Sequence, residues 1–400
     1  METLPSLRTD IQLSPLQYQG RQVLAVGDSL GLREGVAVLS PQILPLLPLF
    51  DGTHTVRHLQ LAMMRMAGNR LVMERDARRV VGELDRLLLL KTERYDALLR
   101  EAKGSFAALP RRAPAMAGTA YPAEALAARG MLEKILGGMP EYRAGSSEPV
   151  RVLVAPHIEL GTGAETYGKA YAHLQSLAPE RIVVLGTGHA LDNGLFSLTD
   201  KPYDTPLGAF PVDDHSLDAL RRSGSALTAS DDFAHRSEHS IEFQVLFLRH
   251  LMPRPIPMIP ILCGSVTEWL DRVERPGAIP GVSAFLDALR VIVDHRTLVV
   301  AAIDLSHVGP KFGDSEPAHA LEPDFREHDR RLLDALCNGS VIDLWSEARR
   351  VGDRYHVCGL PVLAWLLELL PDLRGHLLDY RVWHEAATRS AVSFAGVVLR

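Results

Sequence analysis

The chain has 400 residues, 46% hydrophobic and 23% charged, with a formal net charge of −6 from 43 basic and 49 acidic side chains. That balance excludes a disordered, collagenous or coiled-coil chain, and the length suggests two or three domains at roughly 100–200 residues each. No polybasic block offers a footprint for nucleic acid or an anionic membrane, and sixteen histidines are the one mild excess.

The first residues, Met1-Glu2-Thr3-Leu4-Pro5, have neither the basic nor the apolar region of a signal peptide. The longest apolar runs, near Ile43–Phe50 and Leu360–Leu370, are broken and fall short of the about 20 residues that span a membrane. Cys263, Cys337 and Cys358 are few, odd in number and far apart, which is no disulfide framework. A cytoplasmic protein is expected.

From Leu13 to Leu90 two short strand-like runs, Arg21–Val26 and Gly35–Leu39, precede helical patterns. Ser40-Pro41 reads as an N-cap followed by proline at the first helical position. Asp51-Gly52 closes that segment, and Thr53 or Thr55 can cap the next. Over Asp76–Leu90, the residues Val80, Val81, Leu84, Leu87 and Leu88 share one helical face. A few strands around three short helices predict a small winged-helix-like α+β module over residues 1–110. In pattern it resembles the PqqD-like peptide-binding domains of pyrroloquinoline-quinone synthesis, which implies docking of a peptide or protein. Arg65, Arg70, Arg75, Arg78 and Arg79 are interleaved with Glu74, Asp76 and Glu83, the pattern of a solvated amphipathic surface and not of a DNA-binding stripe. Lys103–Pro114 has the glycine and prolines of a linker, so the boundary is placed there and a second domain is expected over 115–400.

Beyond it the texture becomes α/β. Val150–Pro156, Arg181–Leu185, Ile256–Leu262 and Thr297–Ile303 are short, β-branched, nearly continuous apolar runs, mostly separated by helical patterns. Runs apolar on both faces suit a sheet covered by helices on each side. Chemistry-bearing residues follow these runs: Ala155-Pro156-His157, Gly186-Thr187-Gly188-His189, Cys263-Gly264, and Asp304-Leu305-Ser306-His307. Ligands of open α/β sheets sit beyond the carboxyl ends of the strands, so three histidines delivered to one sheet edge are hard to assign to coincidence. Ser237-Glu238-His239-Ser240-Ile241-Glu242 and His356-Val357-Cys358-Gly359-Leu360-Pro361 each precede an apolar helix. A cysteine at a helix N-terminus has its thiolate favoured, while a small buried hydrophobe accounts for such a residue equally well.

Over 115–400 there is no C-x-x-C or H-x-x-H pair of a structural zinc site, and no dinucleotide fingerprint, P-loop or G-x-S-x-G nucleophile elbow. What remains is a mononuclear site of imidazoles plus one anionic ligand, with open positions, which suits redox-active iron or copper.

Several motifs occur in the order and approximate spacing of the Memo-like family, whose bacterial and archaeal members are called AmmeMemoRadiSam system protein B. They are Ala155-Pro156-His157, Gly186-Thr187-Gly188-His189, Glu238–Glu242, Asp304-Leu305-Ser306-His307 and Cys358-Gly359, together with Ala117-Gly118-Thr119-Ala120-Tyr121-Pro122, Asp204-Thr205-Pro206-Leu207-Gly208 and Val392-Ser393-Phe394-Ala395-Gly396. The resemblance covers about 115–400 and implies a fold similar to class III extradiol dioxygenases, which are non-heme iron enzymes. It implies metal ligands at His157, His189 and Cys358, with iron as the expected metal and copper as the alternative. His239, Asp304 and His307 are implied to line the same cleft, where they would handle protons. A radical-SAM protein and an AMMECR-like protein are the implied partners. The chain departs from the family pattern at Ile158-Glu159-Leu160, at Ala190 and at Ala302-Ile303, and Glu159 could add a carboxylate to the site. Three functions follow as expectations: a redox protein, a non-catalytic metal carrier or scaffold, and a ring-cleaving dioxygenase. A cysteine where those dioxygenases use a carboxylate argues against the third.

Overall fold

The computed structural model describes residues 3–33, 35, 37–137, 149–175, 177–252, 254 and 256–400. The chain forms two compact units, Met1–Ala108 and Leu109–Arg400.

In the first unit, strands β1 (Ile11–Tyr18) and β2 (Arg21–Asp28) pair antiparallel, and β3 (Ala37–Leu39) adds to β2. The turn between β1 and β2 is Gln19-Gly20, with φ of 49° and 75°; two consecutive left-handed residues match the twist of a tight hairpin. A 3-10 stretch, Pro41–Leu49, follows, with Ser40 Oγ accepting from Gln42 N at 3.4 Å. Helices α1 (Val56–Met66), α2 (Glu74–Arg86) and α3 (Glu93–Ala107) complete the unit around Leu4, Val26, Phe50, Leu59, Leu84 and Leu90. The side chain of Arg8 is buried between Asp10 (2.6 Å) and Asp28 (2.5 Å) and donates to Leu88 O at 2.8 Å.

Three readings of this region are corrected. There are three strands and not two, because β1 carries Ser14, Pro15 and Gln17 and lacks an apolar run. The helix expected over Asp76–Leu90 ends at Arg86, since Leu88 turns left-handed at φ 56°. Lys103–Ala107 is the end of α3 and no linker, and Arg112 is fully buried in the second unit.

The second unit is built on an eight-stranded mixed sheet. Its strands are β4 (Val152–Ala155), β5 (Arg181–Thr187), β6 (Phe196–Leu198), β7 (Met258–Cys263), β8 (Thr297–Ala302), β9 (His307–Val308), β10 (Gly375–Glu385) and β11 (Ser390–Leu399). The order is β10-β11-β4-β8-β5-β7-β6, with β9 pairing β11. The four central strands β4, β8, β5 and β7 are parallel, and β6, β10 and β11 run antiparallel to their neighbours.

Side chains alternate between two cores. Val152, Val154, Val183, Ile259 and Val299 face helices α6 (Asp214–Ser223), α8 (Val282–Ile292), α9 (Ala318–Cys337), α10 (Val341–Val351) and α11 (Leu360–Leu369). Leu153, Ala155, Ile182, Val184 and Val300 face α4 (Ala125–Gly137), α5 (Ala164–Ala172) and α7 (His239–Leu251). The fold is therefore a mixed α/β sheet with helices on both faces. Among the described residues, no helix is long and apolar enough to cross a membrane.

Candidate metal centre

Register sets the first part of the site. Ala155 pairs with Ala302, and Ala302 with Gly186, across the parallel strands β4, β8 and β5. The residues leaving their carboxyl ends therefore emerge side by side: His157 after β4, Asp304 after β8, His189 after β5. Asp304 fastens the first of these, its Oδ1 accepting from His157 N at 3.0 Å.

Two glycines let neighbouring segments close over this edge. A Cβ on Gly186 would lie 2.5 Å from Ile241 and 2.7 Å from Ser240 Oγ, so only glycine lets the start of α7 lie against β5. Ser240 Oγ then bonds Thr187 O at 2.8 Å. A Cβ on Gly359 would lie 2.6 Å from Asp304 O; instead Gly359 N donates to that oxygen at 3.0 Å. The first approach brings His239 into the site and the second brings Cys358.

The three imidazoles of His157, His189 and His239 meet there, with ligand nitrogens all within 4.8 Å of one another. Ring centroids lie 5.1 Å apart for His157–His189, 5.4 Å for His157–His239 and 5.0 Å for His189–His239, the last pair stacked. Cys358 Sγ is 3.2 Å from His157 Nε2 and also hydrogen-bonds His189. His239, expected to handle protons, thus stands within the imidazole group itself. Glu159 is exposed and lies outside that group.

Glu238 organises two of the rings. Its carboxylate accepts from His189 N (2.9 Å), His189 Nδ1 (3.1 Å) and Ser240 N (2.9 Å), and it pairs with His239 Nδ1 at 3.3 Å. A carboxylate on Nδ1 orients the ring and leaves Nε2 to face an ion, the usual outer support of metal-binding histidines. Burial works against the Glu238 charge, but His189 beside it holds the carboxyl well below the usual range. Burial likewise opposes the His189 imidazolium, and Glu238 outweighs it, raising that pKa well above the ordinary value. For His157 burial dominates, with His189 and His239 adding repulsion, so its pKa falls well below normal. His239 is lowered to about 4, chiefly by burial.

Asp304 stands beside the His157 ring, its Oδ2 3.7 Å from Nε2, and His307 follows three residues later, outside the group of three imidazoles. Burial pushes the Asp304 carboxyl up to about 7 despite the His157 and Ile158 amides that favour its charge. Burial lowers His307 to about 4, and its Nδ1 lies 3.0 Å from Leu305 O.

The family model for Memo-like proteins matches residues 112–398. The chain belongs to the Memo-like family. A MEMO1 family protein of Aquifex aeolicus is 30% identical, with the match covering 98% of this chain and 100% of that protein. A second, from Thermus thermophilus, is 31% identical over 82% of this chain and 94% of its own. The crystal structure of an uncharacterized Escherichia coli K12 protein aligns with 62% of this chain and 99% of its own, at 16% identity and a TM-score of 0.37.

In this Memo-like chain the short motifs outside the imidazole group hold the scaffold. The Glu242 carboxylate is buried and accepts from Arg112 Nη1, Tyr121 Oη, Ala115 N (3.0 Å) and Met116 N (2.8 Å). Arg112 also donates to Glu238 O at 2.7 Å and His235 O at 3.0 Å, which pins the corner carrying Glu238 and His239. Thr205 Oγ1 closes a turn on Gly208 O at 2.7 Å. Ser393 Oγ, Ser306 Oγ (both 2.6 Å) and Tyr380 Oη (2.7 Å) donate to buried Asp329, locking the Asp304–His307 segment to β10 and β11. Sequence reading did not single out Glu238, Arg112 or Asp329 as supports. The two carboxylates packed into Ser237–Glu242 were a signal for the first; nothing local pointed to the other two.

Proposed function

We propose that this Memo-like chain is a metal-dependent redox protein with a mononuclear ion held by His157, His189 and Cys358, and with His239 as a further nitrogen donor. The observation that carries the reading is the convergence of three imidazoles within 4.8 Å, one of them 3.2 Å from a cysteine sulfur. One feature of the donor set fits an ion: Glu238 occupies the Nδ1 side of the His189 and His239 rings, which leaves Nε2 of each to face it. Imidazoles with one thiolate suit iron and copper and disfavour magnesium or calcium, and iron is the metal proposed, with copper second.

A bound iron would supply open coordination positions and one-electron chemistry at the sheet edge. The chain's own residues supply orientation and proton control. Glu238 fixes the His189 and His239 rings. The Asp304 carboxyl, poised near neutrality, can hold or release a proton beside His157, as a general acid–base group does. Action alongside a radical-SAM protein and an AMMECR-like protein belongs to the same proposal, and co-purification from the native host tests it.

Metal analysis of protein purified without oxygen tests the centre. About one equivalent of iron is expected, lost in His157→Ala and Cys358→Ala. Metal content unchanged in both variants would overturn the assignment.

A further inference from the structure

Beside the imidazoles lies a cavity of about 290 Å³ whose lining includes His189 and Cys358. This is near the lower limit of small-molecule pockets and has room for a single ring with a short arm. Its wall is apolar where Leu191, Val266, Leu360 and Pro361 line it. Ser265, Thr267 and Asp353, also in the lining, form a directed chain. Ser265 Oγ donates to Thr267 Oγ1 (3.1 Å), and Thr267 Oγ1 donates to Asp353 Oδ2 (3.2 Å). Both hydroxyl protons are spent, and the chain ends on a carboxylate.

Asp353 Oδ1 accepts from Val357 N at 3.0 Å, so each carboxylate oxygen keeps capacity for one more donor. Among the described residues lining the cavity there is no lysine or arginine. The two histidines on its wall are turned to other acceptors, His189 Nδ1 to Glu238 and His356 Nδ1 to His307 O at 3.3 Å. These three residues therefore present acceptors, and among the described lining residues the group that interacts electrostatically with Asp353 is the His356 imidazole. The segment that carries Asp353 is held in an unfavourable backbone, with φ of 52° and 48° at Asp353 and His356. Non-glycine residues keep such angles only where their surroundings over-determine them.

We propose that this cavity binds a small ammonium-bearing molecule, its cation received by Asp353 and its apolar body lying between Leu191, Val266 and Pro361. His189 and Cys358 line the same cavity, so the inference rests on the proposed function for what happens at them but not for the binding itself.

Calorimetric titration of the full chain, metal-free and metal-loaded, tests this with benzylamine as the probe and benzoate as its anionic counterpart. Benzylamine is expected to bind saturably and benzoate at least tenfold more weakly. Asp353→Asn keeps the acceptor for Val357 N and is expected to weaken benzylamine at least tenfold with metal content unchanged. Ser265→Trp, on the exposed rim, is expected to block the probe without touching the core. Equal or tighter binding of benzoate, no saturable benzylamine binding, or indifference to both substitutions would overturn the proposal. Metal content measured on the same samples separates the two ideas. Retained metal without probe binding sinks only the pocket, and probe binding without metal sinks only the centre.

Discussion

Each unit buries one arginine side chain among carboxylates, and the two arginines do different work. Arg8 ties Asp10 and Asp28 to the carbonyl of Leu88, joining β2 to the turn after α2. Every group it touches serves the first unit's own packing. Arg112 holds Glu242 and, through Glu238 O, the corner from which Glu238 and His239 reach the site. The same physics, a desolvated guanidinium with most of its donors satisfied, is structural in one unit and sets site geometry in the other. A buried ion pair alone therefore says little about function; what its carboxylate neighbours hold says more.

Substitutions can break or sharpen that contrast. Arg112→Met leaves Glu242 buried without its cation, and it should cost about 3–5 kcal/mol in denaturant unfolding of the second unit, with bound metal falling in parallel. Arg8→Met should cost on the order of 2–4 kcal/mol in the first unit and leave metal content intact; loss of metal in that variant would erase the distinction. Asp329→Asn replaces an acceptor of three hydroxyls with a group that cannot receive them all. A loss of about 1–3 kcal/mol is expected, and a shift of the histidine resonances near Asp304 would show that the site feels it.

A pH titration separates packing charges from site charges. Burial opposes the Glu347 charge, but Arg350 and His328 bring its carboxyl down to about 2 from an ordinary 4.5. Its stabilisation is therefore complete above about pH 4.5 and disappears as the pH falls toward about 2. Glu347→Gln should remove about 1–2 kcal/mol of that acid-side slope, after allowance for solvent screening. The smallest effect belongs to the first unit. Thr92 caps α3 by accepting from Tyr95 N at 3.4 Å and donates to Asp85 at 2.6 Å, so Thr92→Ala should cost about 1 kcal/mol in thermal unfolding, with metal content unchanged.

The parallel strands were legible because a strand buried on both faces reads as a nearly continuous apolar run rich in valine and other strand formers, as Val152–Ala155 and Thr297–Ala302 do. Their carboxyl-end residues were legible for the same reason, since a strand's end fixes where the next side chains emerge. Strand β1 was not, because an edge strand tolerates polar residues and the missing N–H of Pro15. The positions of His157 and His189 could be read from the strand ends, and Cys358 from its place before an apolar helix and from its motif. The nearness of His239 to these rings could not be read, because it depends on how closely α7 approaches β5. That distance is set by the absent side chain at Gly186, some fifty residues away in the chain. Arg112 and Asp329 were invisible for a related reason: a buried charge is chosen by partners distant in sequence, and no local period marks it.

Strand β11 lies between β4 and β10 with all its residues buried, although it follows β4 by most of the second unit's length. A ribosome adding about 5–20 residues per second leaves β4 without that neighbour for on the order of 10–50 s. Until then the strand that presents His157 has at least one bare edge, and two until β8 (Thr297–Ala302) is made. The centre can therefore assemble only late in synthesis, and a chain interrupted before β11 would display an open sheet edge in place of a metal site.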